Sequence, residues 1–107
     1  MTPRVSILLP VHNGSFLAEA AETLLQQTER DFELLILDDA SDGVTQDLIA
    51  RYAADDQRIK VLRNDENRGL PATLNRGLRE AQAELIARAD ADDIYHPERL
   101  SRQLHVF

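Results

Sequence analysis

Cysteine is absent from this 107-residue chain, and lysine occurs only once, at Lys60. Without cysteine there is no disulfide framework, no cysteine-based zinc finger and no iron–sulfur site. No apolar run approaches the ~18 to 20 residues of a membrane span. The opening Met1-Thr-Pro-Arg-Val-Ser6 lacks the apolar core of a signal peptide. Basic residues are also short, since 12 Lys+Arg face 19 Asp+Glu for a net charge of −7. That balance argues against non-specific nucleic-acid binding, which rests on a basic surface. No internal repeat, low-complexity tract or flexible linker divides the chain. What remains, 43% hydrophobic and 29% charged residues, is the composition of a soluble globular domain, and the length is that of one domain.

Short apolar runs alternate with helical periods. Val5-Ser-Ile-Leu-Leu-Pro-Val11 and Glu33-Leu-Leu-Ile-Leu-Asp38 are nearly continuous apolar stretches, as parallel strands buried on both faces require. Arg58–Arg63 alternates like a strand with one wetter face, and Glu84–Ala89 reads as a weaker fourth strand. Between them, Phe16, Ala20 and Leu24, with Leu17, Ala21 and Leu25, recur at helical spacing and predict a helix over 15–28 capped by Ser15. Thr45 is expected to cap a second helix with Leu48, Ile49 and Tyr52 inward. Pro71 fits the first turn of a third, carrying Leu74, Leu78 and Ala81 inward. Pro97 opens a fourth, with Leu100, Leu104 and Phe107 on one face. This β-α-β-α-β-α-β-α order predicts an α/β sandwich with a mostly parallel sheet and right-handed crossovers.

In such folds ligands bind beyond the carboxyl ends of the strands. The segments there are polar: Pro10-Val-His-Asn-Gly-Ser15, Asp38-Asp-Ala-Ser-Asp-Gly43, Asn64-Asp-Glu-Asn-Arg-Gly69 and Asp90-Ala-Asp-Asp93. Three carboxylates in Asp90–Asp93 repel one another unless a cation lies among them. A hard divalent ion, Mg²⁺ or Mn²⁺, would relieve that repulsion. A solvated acidic turn that caps the helix at Pro97 would relieve it as well. Asp38-Asp39 could receive hydrogen bonds from a base or a ribose, or Asp39 and Asp42 could build a turn with Ser41 and Gly43. Asn67-Arg68-Gly69 suits a loop with glycine at positive φ, and its arginine could meet a phosphate. Asn75 could be no more than an exposed helical position. Together, metal carboxylates, polar pockets and arginines describe a site for a metal-chelated nucleoside diphosphate.

The motifs Val5-Ser-Ile-Leu-Leu-Pro-Val-His-Asn-Gly14, Leu25-Gln-Gln-Thr28, Asp31-Phe-Glu-Leu34, Asp38-Asp-Ala-Ser41, Asn67-Arg-Gly69, Ala72-Thr-Leu-Asn-Arg-Gly77 and Asp90-Ala-Asp-Asp93 stand in the order and spacing of family-2 glycosyltransferases. The chain resembles that family from Pro3 to Leu104. The resemblance implies a GT-A, Rossmann-like α/β fold and transfer of a sugar from a nucleotide-diphosphate sugar, with inversion, to a glycan or lipid-linked acceptor. It implies that Pro10, His12 and Asn13 border the nucleobase, with an imidazole where the family commonly has Tyr. Asp39 would accept a hydrogen bond from the base, commonly a uracil, and Arg68 and Gly69 would lie near the nucleotide. Asp90 would approach the ribose and Asp92 would ligate Mg²⁺ or Mn²⁺, with Asp93 serving the turn. Residues 1–107 are then expected to be the donor-binding part of a longer enzyme. The acceptor half and the catalytic base are expected beyond residue 107, so that the segment alone binds nucleotide and transfers no sugar. A cytoplasmic location, peripheral to the membrane in the full-length protein, a role in cell-envelope polysaccharide synthesis and self-association through uncovered apolar surface complete these expectations.

Three rival readings frame that one. A receiver-type phosphoacceptor domain also binds Mg²⁺ at strand-end carboxylates, but carries its acid pair after the first strand and a lysine near the end. Here the first strand ends in Pro10-Val-His-Asn13 and the lone Lys60 falls inside the third. A nucleotidyltransferase would show a Gly-rich phosphate loop where Pro10-Val-His-Asn-Gly14 stands. A non-catalytic binding domain of the same fold is the remaining alternative.

Overall fold

The structure is a computed structural model and describes residues 3–12, 17–26 and 30–89. Four strands, β1 (Val5–Val11), β2 (Phe32–Asp39), β3 (Ile59–Asn64) and β4 (Leu85–Arg88), alternate with three helices, α1 (Leu17–Leu25), α2 (Gly43–Asp55) and α3 (Leu70–Glu80). All the pairings are parallel, in the order β3-β2-β1-β4. The chain thus winds outward from β1 to β3 and returns on the other side of β1. The switch point lies between β1 and β4, where an open α/β sheet has its crevice.

The two central strands are buried on both faces, which is why β1 and β2 read as near-continuous apolar runs. Successive side chains point to opposite faces. Val5, Ile7, Leu9 and Val11 of β1, with Phe32, Leu34 and Ile36 of β2, meet Ala20 and Leu24 of α1 and Ile49 of α2. Leu8, Leu35 and Leu37 point the other way, against Leu62, Leu74 and Ala81. Gly77 lets α3 settle there: a Cβ built on it would stand 2.7 Å from Leu37 Cδ1. The expected inward stripe of α3 is therefore corrected. Thr73 and Gly77 are its buried residues, and Leu78, expected inward, is 51% exposed.

The elements fall close to their expected places, with β2 one residue longer at each end and β3 shifted one residue on. The cap of α2 differs. Asp42, not Thr45, is its N-cap, its carboxylate accepting the Thr45 N–H at 2.8 Å. Thr45 is buried inside the first turn. Ser15, Phe16 and the helix expected at Pro97 lie outside the described residues.

At the amino edge a buried polar network ties the layers together. Ser6 Oγ and the Gln82 N–H both donate to Glu33 Oε2, at 2.5 and 2.7 Å. The Ala83 N–H donates back to Ser6 Oγ at 3.1 Å, and Lys60 Nζ lies 3.0 Å from Glu33 Oε1. One carboxylate thus joins β1, β2, β3 and the link from α3 to β4. On the opposite face, Arg58 forks onto Asp56 at 2.7 Å and stacks over Phe32, 4.3 Å from the ring centre. Glu33→Leu leaves the Ser6 hydroxyl and the Gln82 N–H without their acceptor. Urea unfolding should register a loss of about 2 kcal/mol or more. Gly77→Val should cost about 1–3 kcal/mol in the same assay through overpacking against Leu37.

Candidate nucleotide-binding site at the carboxyl edge

Opposite the Glu33 network, the strand ends gather most of the residues named from the sequence. In β1, Pro10 pairs with Leu37 of β2. Pairing of β1 with β4 ends at Leu8–Arg88, and the Leu8 carbonyl accepts from the Ala89 N–H at 2.9 Å. Pro10, two residues further along β1, faces the same side and has no N–H to offer there. A proline in this central strand therefore removes one possible ladder hydrogen bond on the β4 side, beyond the Leu8–Arg88 pair.

The two acids ending β2 face opposite sides. Asp38, 1% exposed, accepts the Ser41 N–H on Oδ1 at 2.9 Å and meets Arg63 Nε at 3.4 Å with Oδ2. This Asx-type closure turns the chain toward α2 and holds Ala40 at φ 58, a left-handed conformation that costs a residue with a Cβ about 1 kcal/mol. The turn expected of Asp39 is thus made by Asp38, with Asp42 supplying the cap.

Asp39, 6% exposed, points to the α3 side. Its Oδ1 accepts from the Arg68 N–H at 2.8 Å and from Asn64 Nδ2 at 3.0 Å, and its Oδ2 accepts the Gly69 N–H at 3.0 Å. Gly69 is the N-cap of α3 at φ 85, ψ 164, with no side-chain cap of its own, so Asp39 supplies the negative charge that the helix N-terminus favours. Only glycine adopts that backbone conformation without strain. Burial pushes the Asp39 carboxyl up, but the hydrogen bonds from Arg68, Asn64 and Gly69 and the nearby His12 outweigh it, so its pKa lies below the ordinary 3.8.

His12, exposed at the end of β1, has Nδ1 2.8 Å from the Asp39 carbonyl oxygen. That bond requires the proton on Nδ1, and Asn67 Nδ2 lies 3.4 Å from both ring nitrogens. Asn67 Oδ1 in turn accepts from the Gly69 N–H at 3.0 Å. Pro10, His12, Asp39, Arg68 and Gly69 therefore share the carboxyl edge. Asn13, Asp90, Asp92 and Asp93 lie outside the described residues, and among the described residues no cluster of three His, Asp or Glu side chains forms a metal site.

Asn64 was not foreseen. Its Nδ2 also donates to Thr73 Oγ1 at 3.0 Å, and its Oδ1 accepts from Arg76 Nη1 at 3.0 Å. Its register opposite Asp39 was the available signal: a polar residue closing a strand beside an acid.

Comparison with known proteins gives this geometry a family. Residues 6–107 match the profile described as "Glycosyl transferase family 2", and the chain belongs to that family. It is 39% identical over 104 residues to EpsE of Bacillus subtilis (strain 168), a match covering 95% of this chain and 37% of that protein. The fold matches that of a mannosyltransferase from Pyrobaculum calidifontis, solved with GDP-Man and Mn²⁺, with a TM-score of 0.87 at 24% identity over 97% of this chain and 32% of the other. Residues 1–349 of S. aureus TarS, solved with UDP-GlcNAc, match with a TM-score of 0.85 at 25% identity over 95% of this chain and 30% of the other. The chain spans about two fifths or less of the length of the first relatives it matches. The architecture is that of GT-A glycosyltransferases, as expected. No helix among the described residues is long and apolar enough to cross a membrane.

Two outcomes test the local chemistry. In Asp39→Asn one carboxylate oxygen becomes an NH₂ facing N–H donors, so urea unfolding should show a loss of about 1–3 kcal/mol, with exchange of the Gly69 amide accelerated. Glu33 and Asp39 both have pKa values below their ordinary 4.5 and 3.8. Their contribution is therefore complete above those ordinary values and is lost as pH falls through the lower folded ones. Thermal unfolding between pH 6 and pH 2 should show the melting temperature falling on the acid side, with a shallower fall in Glu33→Gln.

Proposed function

We propose that residues 1–107 are the donor-binding part of an inverting glycosyltransferase that takes a nucleotide-diphosphate sugar, a UDP-sugar by preference. One observation carries the reading. A carboxylate offers about four acceptor positions, and three at Asp39 are filled by Arg68, Gly69 and Asn64. Among the described residues no donor fills the fourth, which is assigned to a ligand N–H, such as the imide of a uracil. Pro10, His12 and Asn13 border that base, and Arg68 and Gly69 lie along the nucleotide.

Asp90 and Asp92 follow within three residues of Ala89, whose N–H makes the last bond to β1 among the described residues. Their paired carboxylates are the oxygen donors that a hard cation prefers. Asp92 is the proposed ligand of Mg²⁺ or Mn²⁺, and Asp90 the partner of the ribose. When bound, the cation draws charge from the departing diphosphate. In the transfer, a base removes the proton of an acceptor hydroxyl. The acceptor oxygen bonds to the anomeric carbon from the face opposite the leaving group, and the bond from that carbon to the diphosphate breaks. The base and the surface for a glycan or lipid-linked acceptor are assigned beyond residue 107. The segment alone then binds nucleotide without transferring sugar. The same reading has the whole protein working on the cytoplasmic side of the membrane, in cell-envelope polysaccharide synthesis.

Calorimetric titration of the 107-residue chain with UDP, with and without Mn²⁺, tests the proposal. Binding should need the metal and weaken about tenfold or more in Asp92→Ala. Metal-independent binding that Asp92→Ala leaves unchanged would sink it.

A further inference from the structure

Beside the carboxyl edge, α3 and the end of β3 enclose a second feature, which shares Arg68 with the donor site. A cleft of about 460 Å³ is lined by Asn64, Arg68, Ala72, Asn75, Arg76 and Arg79. Three arginines line one concavity in a chain whose net charge is −7. Like charges so placed repel, and the usual relief is a neighbouring carboxylate. The ion pairs among the described residues engage Arg58, Lys60 and Arg63 instead, and none involves Arg68, Arg76 or Arg79.

Arg76 is held in place. Its Nη1 donates to the Arg63 carbonyl and to Asn64 Oδ1, which fixes the guanidinium plane at the cost of one nitrogen and leaves the rest of the fork open. Arg79, on the last turn of α3, would complement the helix dipole wherever it pointed. That account does not reach Arg68, before the helix, or Arg76 in its middle. Ala72 contributes only a methyl group to the lining, and Asn75 adds a carboxamide that can donate.

We propose that this cleft is an anion site distinct from the donor site, built for a phosphate group that carries an organic substituent. Arginine matches the tetrahedral oxygens of a phosphate with paired N–H donors. The volume exceeds what a bare phosphate fills and falls in the range of small-ligand clefts. A soluble phosphoester and a phospholipid headgroup share this chemistry. The site is independent of the donor reading except that Arg68 borders both.

The test uses the whole 107-residue chain in EDTA, so that no divalent metal assists binding at the Asp90–Asp92 segment. Inorganic phosphate and glycerol 3-phosphate are titrated while backbone amide resonances are followed. Saturable shifts at Ala72, Asn75, Arg76 and Arg79 are expected, with the ester binding tighter than phosphate. Arg79→Glu, at an exposed position, should weaken binding about tenfold or more with an otherwise unchanged spectrum, whereas Asp92→Ala should bind as before. Sedimentation with phosphatidylglycerol or phosphatidylcholine vesicles separates the sources. Pelleting with the anionic vesicles alone, lost in Arg79→Glu, assigns a headgroup, and ester binding without pelleting assigns a soluble ligand. The proposal is overturned if no saturable shift appears, or if binding survives Arg79→Glu and is lost in Asp92→Ala, which would place the anion at the donor site.

Discussion

The carboxylate of Asp39 is the constraint on which the carboxyl edge depends. It is almost fully buried, a position in which an unsatisfied charge would cost several kcal/mol. It stays ionised because Arg68, Gly69 and Asn64 converge on it. The same three bonds anchor the loop after β3, neutralise the N-terminus of α3 and fix the spacing between β2 and that helix. The carboxylate proposed to meet the base therefore also serves as a helix cap. Little can change in this loop without moving the Asp39 carboxylate.

Glu33 does the equivalent work at the other edge, and the contrast is informative. There the carboxylate is closed off by Ser6, Gln82 and Lys60, so the amino edge is stitched across three strands. Asp39 keeps one position open. Both acids lie on the α3 side of β2, since odd-numbered positions of that strand share a face. One strand thus carries a locked carboxylate at its base and an unfinished one at its tip. This is the asymmetry expected of a parallel sheet that keeps its amino edge rigid and its carboxyl edge available.

Much of this was legible in the sequence because it follows from periodicity. Continuous apolar runs identified β1 and β2 as strands buried on both faces, and helical spacing located α1 and α2. The errors fall where local rules compete. Thr45 and Asp42 are both acceptable caps, and the choice turned on the Asp38 closure that delivers Asp42 to the first N–H groups of α2. Leu78 belongs to the apolar pattern of α3, but the helix rolls onto Gly77, because the absence of a side chain there allows a closer approach than a leucine would. Composition reports what is hydrophobic, not where a gap permits contact. The roles of Asn64 and Arg76 depend on register across 25 and 12 positions, which no local window sees.

Asn64 has a consequence for how the two sites relate. Its amide donates to Asp39 while its carbonyl accepts from Arg76, so one planar group touches both the donor-site carboxylate and the arginine of the neighbouring cleft. Rotating that amide for either partner loses the bond to the other, since its donors and acceptor are fixed at opposite ends. An anion that drew Arg76 away would free the Asn64 oxygen but leave its Nδ2 on Asp39 and Thr73, and so would keep the loop in place. A change at Asp39 acts differently, because it removes one of the two acceptors, Asp39 and Thr73, that orient the amide supporting Arg76. The physical coupling therefore runs more strongly from the donor site to the cleft through geometry than through charge. Near pH 7 the cleft depends on Asp39 even though Asp39 does not line it.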